Sequence, residues 1–337
     1  MRKFYLLILM IIATIFLVGC ESPKVKYNEY IKSDEIKIVA TTTMLGDLAK
    51  NIGGNKVKVY TMMPAGVDPH TYNPNKLDID YLLAADVVLV SGLHLEAQAG
   101  EAIKQVRQRN ITVIEASKIL VLKHKNNHED GVTLIDWDDE NAVKDAERDG
   151  INEVFDPHFW FDVIYWRIVA EYLKDELIKK YPNYQDYFEL RHQSYQNEID
   201  ILLQYITSRL SELTLEQKIL FTAHDAFNYF GIRYGFQIEA VQGISTEHEA
   251  NTRDIEKLVD LAIEKNVKTI FIESSVPRKT IDSLIESAKV KNHHIKIGGE
   301  LFSDSLGNPG EFGDTYIQMV KHNIDTIVDA ILLSDKE

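Results

Sequence analysis

Asp-Pro-His occurs twice in this chain, at Asp68-Pro69-His70 and at Asp156-Pro157-His158, 88 residues apart. Proline fixes its own φ and restricts the residue before it, so each imidazole is presented from a stiff turn. A third histidine, His224, stands in Thr222-Ala223-His224-Asp225-Ala226-Phe227, and Asp304 follows Gly298-Gly299-Glu300-Leu301-Phe302-Ser303. Three imidazole nitrogens with one or two carboxylate oxygens suit a first-row divalent metal, zinc or manganese, and not magnesium or calcium. Around these four, Asp68 and Asp156 read as turn formers or hydrogen-bond partners of the ligands, and Asp225 as the N-cap of the next helix. His94, in Ser91-Gly92-Leu93-His94-Leu95-Glu96, reads as a rim residue. His293-His294 starts a strand, the wrong end of a sheet for a site, and His248 lies between Glu247 and Glu249 as an exposed residue.

The elements that must position these residues read as α/β. Ile36 to Ala40 is a β-rich run, followed by Thr41-Thr42-Thr43 and a helix-period segment from Met44 to Ile52. Strands are expected at Val57 to Met62, Asp86 to Val90 and Ile111 to Ile114, and their unalternated apolar runs fit parallel sheets covered on both faces. The order returns after residue 215: a strand at Lys218 to Thr222, a helix from Ala226 to Tyr234, then strands at Phe236 to Val241, Lys268 to Ile272 and His294 to Ile297. Two lobes of related topology follow, 36–183 and 214–337. Between them, 184–213 keeps helical apolar spacing without Gly or Pro, about 45 Å of helix at 1.5 Å per residue. A coiled-coil dimer is the competing use of that stripe, although the repeat is not a strict heptad. In open α/β sheets ligands bind beyond the carboxyl ends of strands, where His70, His224 and Asp304 all fall. Facing lobes would bring three imidazoles and a carboxylate together.

The chain has 337 residues, 45% of them hydrophobic, enough for two domains with a real core. A formal charge of −15 argues against nucleic acid, which requires clustered Lys and Arg, and against a polybasic membrane-surface mode. One cysteine excludes intramolecular disulfides and multi-cysteine metal sites. That cysteine, Cys20, ends an apolar run that begins after Arg2 and Lys3, the pattern of a secretory signal and too short for a spanning helix. Leu17-Val18-Gly19-Cys20 resembles a bacterial lipobox, which implies removal of 1–19 and diacylation of Cys20. Residues 20–35 then read as a polar tether. Residues 123–150, with nine acidic residues against four Lys or Arg, read as a solvated, mobile insertion within the first lobe.

From 36 to 334 the chain resembles the metal-binding lipoprotein receptors of bacterial zinc/manganese ABC transporters. The resemblance rests on Gly66-Val67-Asp68-Pro69-His70, Ser91 to Glu96, Asp156-Pro157-His158-Phe159-Trp160-Phe161-Asp162, Ala223 to Phe227, Val241 to Thr246, Phe271-Ile272-Glu273-Ser274 and Gly298 to Asp304. It implies two α/β lobes joined by one long rigid helix, a metal held by His70, His158, His224 and Asp304 in the cleft, and permease and ATPase partners. It also implies a monomer held outside the cytoplasmic membrane by a lipid. Relatives resembling manganese receptors often carry Glu where this chain has His224; dedicated zinc receptors usually carry a long His-rich loop, absent here. The imidazole content leans towards zinc, with manganese the alternative.

Two other classes compete. A lipid-anchored zinc hydrolase would use the same donors with one position open, but the chain has no His-Glu-x-x-His and no general base placed beside the ligands. A surface adhesin is the third, and no segment encodes such a surface. The unbroken linking helix leads to one further expectation: metal delivery by small lobe and loop adjustments around His158 and Asp304 rather than by wide hinge closure.

Overall fold

The computed structural model describes residues 22–137, 154–247 and 251–334. Cys20, the signal segment 1–19, residues 138–150 of the acidic stretch and His248 lie outside these. The first lobe is built on four parallel strands, β1 (Ile36–Ala40), β2 (Val57–Thr61), β3 (Val87–Val90) and β4 (Thr112–Glu115), in the order β2-β1-β3-β4. β3 is buried throughout, as its unbroken Val-Val-Leu-Val run requires. Helices α2 (Thr43–Gly53), α3 (Lys76–Ala84), α4 (Gly100–Gln108) and α5 (Lys118–Lys125) alternate with the strands. Their starts are chemically marked: the Thr42 hydroxyl accepts from Leu45 N–H, and Asn75 with Asp78 forms a reciprocal capping box.

The second lobe repeats the plan. β5 (Ile219–His224) pairs with β6 (Gln237–Gln242), and β7 (Thr269–Glu273) with β8 (Lys296–Leu301), all parallel. β5 runs beside β7, giving the spatial order β6-β5-β7-β8 and the topology of the first lobe again. Helices α8 (Asn228–Tyr234), α9 (Thr252–Glu264) and α10 (Lys279–Val290) connect these strands.

Between the lobes, α6 (Val163–Lys180) leads through a short turn into α7 (Gln185–Leu210), the longest helix described, about 39 Å at 1.5 Å per residue. Its apolar stripe (Phe188, Tyr195, Ile199, Leu202, Ile206, Leu210) is buried within the chain, against α2 and α6 on one side and α11 (Tyr316–Ser334) on the other. These six side chains are thus consumed internally and are not free to form a coiled coil, while Leu190 of the same helix is exposed. Polar contacts splint the same helix at both ends: Arg191 donates to the Asn51 carbonyl, while Arg209 pairs with Asp325 and Asp329 of α11.

Two expectations need correction. Residues 23–32, read as part of a tether, form helix α1 (Pro23–Lys32), docked through Tyr27 and Tyr30 onto Tyr81. The lysines and glutamate made the segment look unstructured, but two tyrosines three residues apart provide one apolar helix face. Residues 123–137 are likewise not a mobile insertion: Val132, Leu134 and Trp137 are buried, and Asp136 bridges to Phe155. Here the interleaved apolar residues outweigh the acidic composition.

Candidate metal centre

Each of the four sequence-selected side chains arrives by a short, stiff route. His70 follows β2, in the loop that precedes α3. In both Asp-Pro-His turns the aspartate Oδ1 accepts the backbone N–H of the histidine two residues on, at 2.9 Å in each. His158 is followed at once by a 3-10 turn, Phe159–Phe161, and by α6, which Asp162 caps through Ile164 N–H. His224 is the last residue of β5, and Asp304 lies three residues beyond β8. Two ligand positions therefore come from each lobe.

The four residues are buried, and one donor atom from each lies within 4.8 Å of all the others. Nε2 of His70 and Nε2 of His158 are 3.3 Å apart; His158 Nε2 is 3.3 Å from Asp304 Oδ1, and His224 Nε2 is 3.1 Å from Asp304 Oδ2. His224 Nε2 and Asp304 Oδ1 nevertheless have no partner at hydrogen-bonding geometry. Buried polar atoms left in this way are costly unless a cation completes them.

The outer contacts decide which nitrogen points inward. His158 Nδ1 lies 2.8 Å from Asp156 Oδ1, and His224 Nδ1 lies 2.5 Å from Glu273 Oε2. A carboxylate only accepts, so each ring keeps a proton on Nδ1, and Nε2 is the nitrogen turned to the centre and available to a metal once deprotonated. Glu273 was quoted within a motif but given no role by the sequence reading. Its Oε1 also accepts the backbone N–H groups of Ala223 and His224, at 2.8 and 2.9 Å, joining the ends of β5 and β7. The signal that could have identified it is its position: an acidic residue ending a strand beside the strand that ends in His224.

Electrostatics follow the same pairs. Burial, reinforced by the neighbouring His158 and His224 rings against the pull of Asp304, brings the His70 imidazole down to about 3. Burial also opposes charge on His158, but Asp156 and Asp304 outweigh it and push that ring up to about 9. His224 is raised for the same reason by Asp304 and Glu273, and the two imidazoles hold the buried Asp304 carboxyl well below its ordinary value.

The remaining selected residues take other places. Asp68 Oδ2 accepts the hydroxyls of Thr71 and, from the second lobe, Thr246. His94 stays outside the cluster, half-buried with φ of 66°, close enough for its charge to bear on His70. Asp225 is not the expected N-cap: Phe227 occupies that position without a side-chain cap. Asp225 instead faces Asn228, whose amide also donates to Asp156, and burial raises its carboxyl. His124 and His128 are engaged locally, with His124 Nδ1 accepting Leu134 N–H and His128 Nδ1 beside the Val132 carbonyl. Among the described residues, the four-residue cluster is the one group spaced for a metal.

A buried set of three imidazoles and a carboxylate can hold one first-row divalent cation. Because Glu273 fixes the His224 tautomer and supports its basicity, Glu273→Gln is expected to weaken zinc binding by about 10–100-fold with the fold intact, measured by chelator competition and circular dichroism.

The zinc-uptake complex component A (periplasmic) family model matches residues 38–330. The manganese-binding lipoprotein MntA of Bacillus subtilis is 34% identical over 319 residues, 95% of this chain and 96% of that protein. The zinc-binding protein TroA of Treponema pallidum is 36% identical over 294 residues, 87% of this chain and 88% of that protein. The solved periplasmic TroA structure superposes with a TM-score of 0.78, at 36% identity, over 88% of this chain and 99% of that one. With two α/β lobes on a long helix and a buried three-histidine, one-aspartate site between them, the chain belongs to this family: it is a metal-binding receptor of an ABC importer for zinc or manganese, not an enzyme.

Proposed function

We propose that His70, His158, His224 and Asp304 are the ligands of a single transported ion, taken up outside the cytoplasmic membrane and passed to a permease driven by an ATPase. The lobes are 36–183 and 214–337, the protein is a monomer, and Cys20 is its acylated N-terminus. The observation that carries this reading is the pair of orphaned buried atoms, His224 Nε2 and Asp304 Oδ1, inside a cluster whose other nitrogens already face the same point. Three nitrogens against one carboxylate favour zinc over manganese, following the stability order of the divalent ions. Titration of metal-free protein is expected to show one ion per chain, with zinc bound at least ~10-fold more tightly than manganese. A stoichiometry of two, or tighter manganese binding, contradicts the proposal.

Delivery proceeds by small displacements. α7 is continuous and packed against both lobes, and bonds cross the cleft directly: Gly66 N–H to Ser305 Oγ at 2.9 Å, Leu306 N–H to Thr43 Oγ1 at 2.7 Å, and Trp160 Nε1–H to the Ser303 carbonyl at 3.0 Å. Since His158 and Asp304 come from different lobes, a modest shift of either opens the shell. Small-angle scattering is expected to give radii of gyration near 20 Å for both forms, differing by less than about 1 Å. Hydrogen exchange is expected to slow on loading mainly around His158 and Asp304. A large compaction would sink this account.

A further inference from the structure

His158 belongs to the first lobe by chain order, yet the second lobe grips both ends of the turn that presents it. At the near end, Asn228 Nδ2 donates to Asp156 Oδ2 at 3.1 Å, and the Tyr229 hydroxyl donates to the Asp156 carbonyl at 3.0 Å. At the far end, Nε and Nη2 of Arg233 both donate to Asp162 Oδ2, at 2.8 and 2.6 Å. Between these anchor points Phe227 packs on Phe161, with ring centroids 4.2 Å apart. Asn228, Tyr229 and Arg233 all lie on α8, and Phe227 is the residue before it. From the first lobe, the Ile135 carbonyl accepts the Asp156 N–H at 2.8 Å.

The two aspartates divide their oxygens in the same manner. Asp156 Oδ1 takes the backbone N–H and the ring Nδ1 of His158, while Oδ2 takes Asn228. A displacement of α8 therefore reaches the imidazole through one carboxylate. Asp162 Oδ1 caps α6 through Ile164 N–H, and Oδ2 takes Arg233. Asp162 is buried, so loss of the guanidinium leaves a carboxylate without its cation in the interior, a costly state. A lysine offers a single ammonium and cannot place two donors in a fixed fork on that oxygen. α8 also begins four residues after His224, so one short helix ties two of the four ligand positions together.

We infer that α8 is the positioning element of His158: Arg233 and Asn228 fix the ligand's turn from across the cleft and thereby set how fast the ion is released. The inference rests on the reading of His158 as a ligand of the transported ion. Neither residue belongs to the four-residue cluster, and both act through the aspartates of the turn. Loosening this grip frees the His158 displacement on which delivery depends, so the metal leaves sooner.

The test compares Arg233→Gln, Arg233→Lys and Asn228→Ala with the unaltered chain, loaded with zinc or with cobalt(II). Arg209→Gln, which cuts the pairs between α7 and α11, controls for general loosening of the fold. Stopped-flow mixing with excess chelator reads the release rate, and the cobalt d–d absorption reads ligand geometry. Zinc release is expected to accelerate about tenfold in Arg233→Gln and Asn228→Ala, with shifted cobalt bands and an intermediate Arg233→Lys. Arg209→Gln is expected to lower the melting temperature of the metal-free protein while leaving release within about twofold and the cobalt spectrum unchanged. Unaltered release and spectra in both α8 variants, beside a weakened His158→Ala, overturn the role of α8 and leave the ligand reading standing. The same acceleration in Arg209→Gln also overturns it, since any loosening of the fold then suffices. Full zinc affinity in His158→Ala removes the ligand reading, and the inference with it.

Discussion

Replacing His158 with alanine is expected to weaken zinc binding by about 100-fold or more, since it removes a donor atom where loss of an outer partner alone costs 10–100-fold. His158 is the residue most tightly committed by its surroundings. Asp156 takes both its backbone N–H and its ring Nδ1, and the Trp160 indole that follows donates across the cleft to the Ser303 carbonyl. No neighbour can swing in to replace it, because among the described residues the remaining histidines are engaged elsewhere or lie outside the cluster. His224→Ala should behave alike. His70→Ala is expected to cost as much affinity while leaving proton release on binding unchanged, since burial keeps that ring neutral before metal arrives, whereas loss of His158 or His224 lowers it. Competition against a chromophoric chelator measures all three, and undiminished affinity in any one removes that residue from the shell.

Affinity is also expected to fall steeply as pH is lowered, across a window higher than that of an ordinary histidine. In the metal-free protein His158 is pushed up to about 9, and His224 is raised as well, so at neutral pH both rings carry protons stabilised by Asp304 and their outer carboxylates. The metal must displace those protons from Nε2, and each one costs about tenfold in affinity per pH unit below its pKa. Between pH 9 and pH 6 zinc affinity should drop by about 10–100-fold per unit, and binding at pH 7 should release protons measurable in a weakly buffered solution. Stability of the metal-free protein runs the other way. A raised folded-state pKa stabilises most below the unfolded value near 6.5, and that contribution is lost as pH climbs through about 9. The gain in melting temperature on adding zinc should therefore widen from pH 6.5 to pH 9. A gain independent of pH would mean that the histidines are not protonated in the free site.

Much of this was legible in the sequence because the local rules and the global fold agree. The apolar runs at Ile36 to Ala40 and Val87 to Val90 became covered parallel strands, and the helically spaced apolar residues of 184–213, Tyr195, Ile199, Leu202, Ile206 and Leu210 among them, became the buried face of α7. The two Asp-Pro-His turns were readable because proline and an aspartate two residues before histidine enforce one geometry each time they occur. What escaped depends on strands distant in sequence. Glu273 and His224 are 49 residues apart, and only the adjacency of β5 and β7 brings them together. Asp225 was misread because a polar residue before a helix is usually its cap, whereas here the helix begins later and the carboxylate turns towards Asn228. α1 and the segment around Trp137 were misread because composition averages over a window, while docking depends on two or three well-spaced aromatic or aliphatic side chains.

The shared helix has a consequence for how the molecule comes apart. One continuous apolar cluster runs from Ile36 and Leu45 in the first lobe through Phe188, Ile199 and Leu210 of α7 to Ile324 and Ile331 in the last helix. Each lobe borrows part of its interior from an element that belongs equally to the other. A chain severed before α7 would leave the α2 and α6 faces uncovered, and one severed after it would strip α11 of the same cover. Two lobes serve the ion, but heat or denaturant should meet a single cooperative unit.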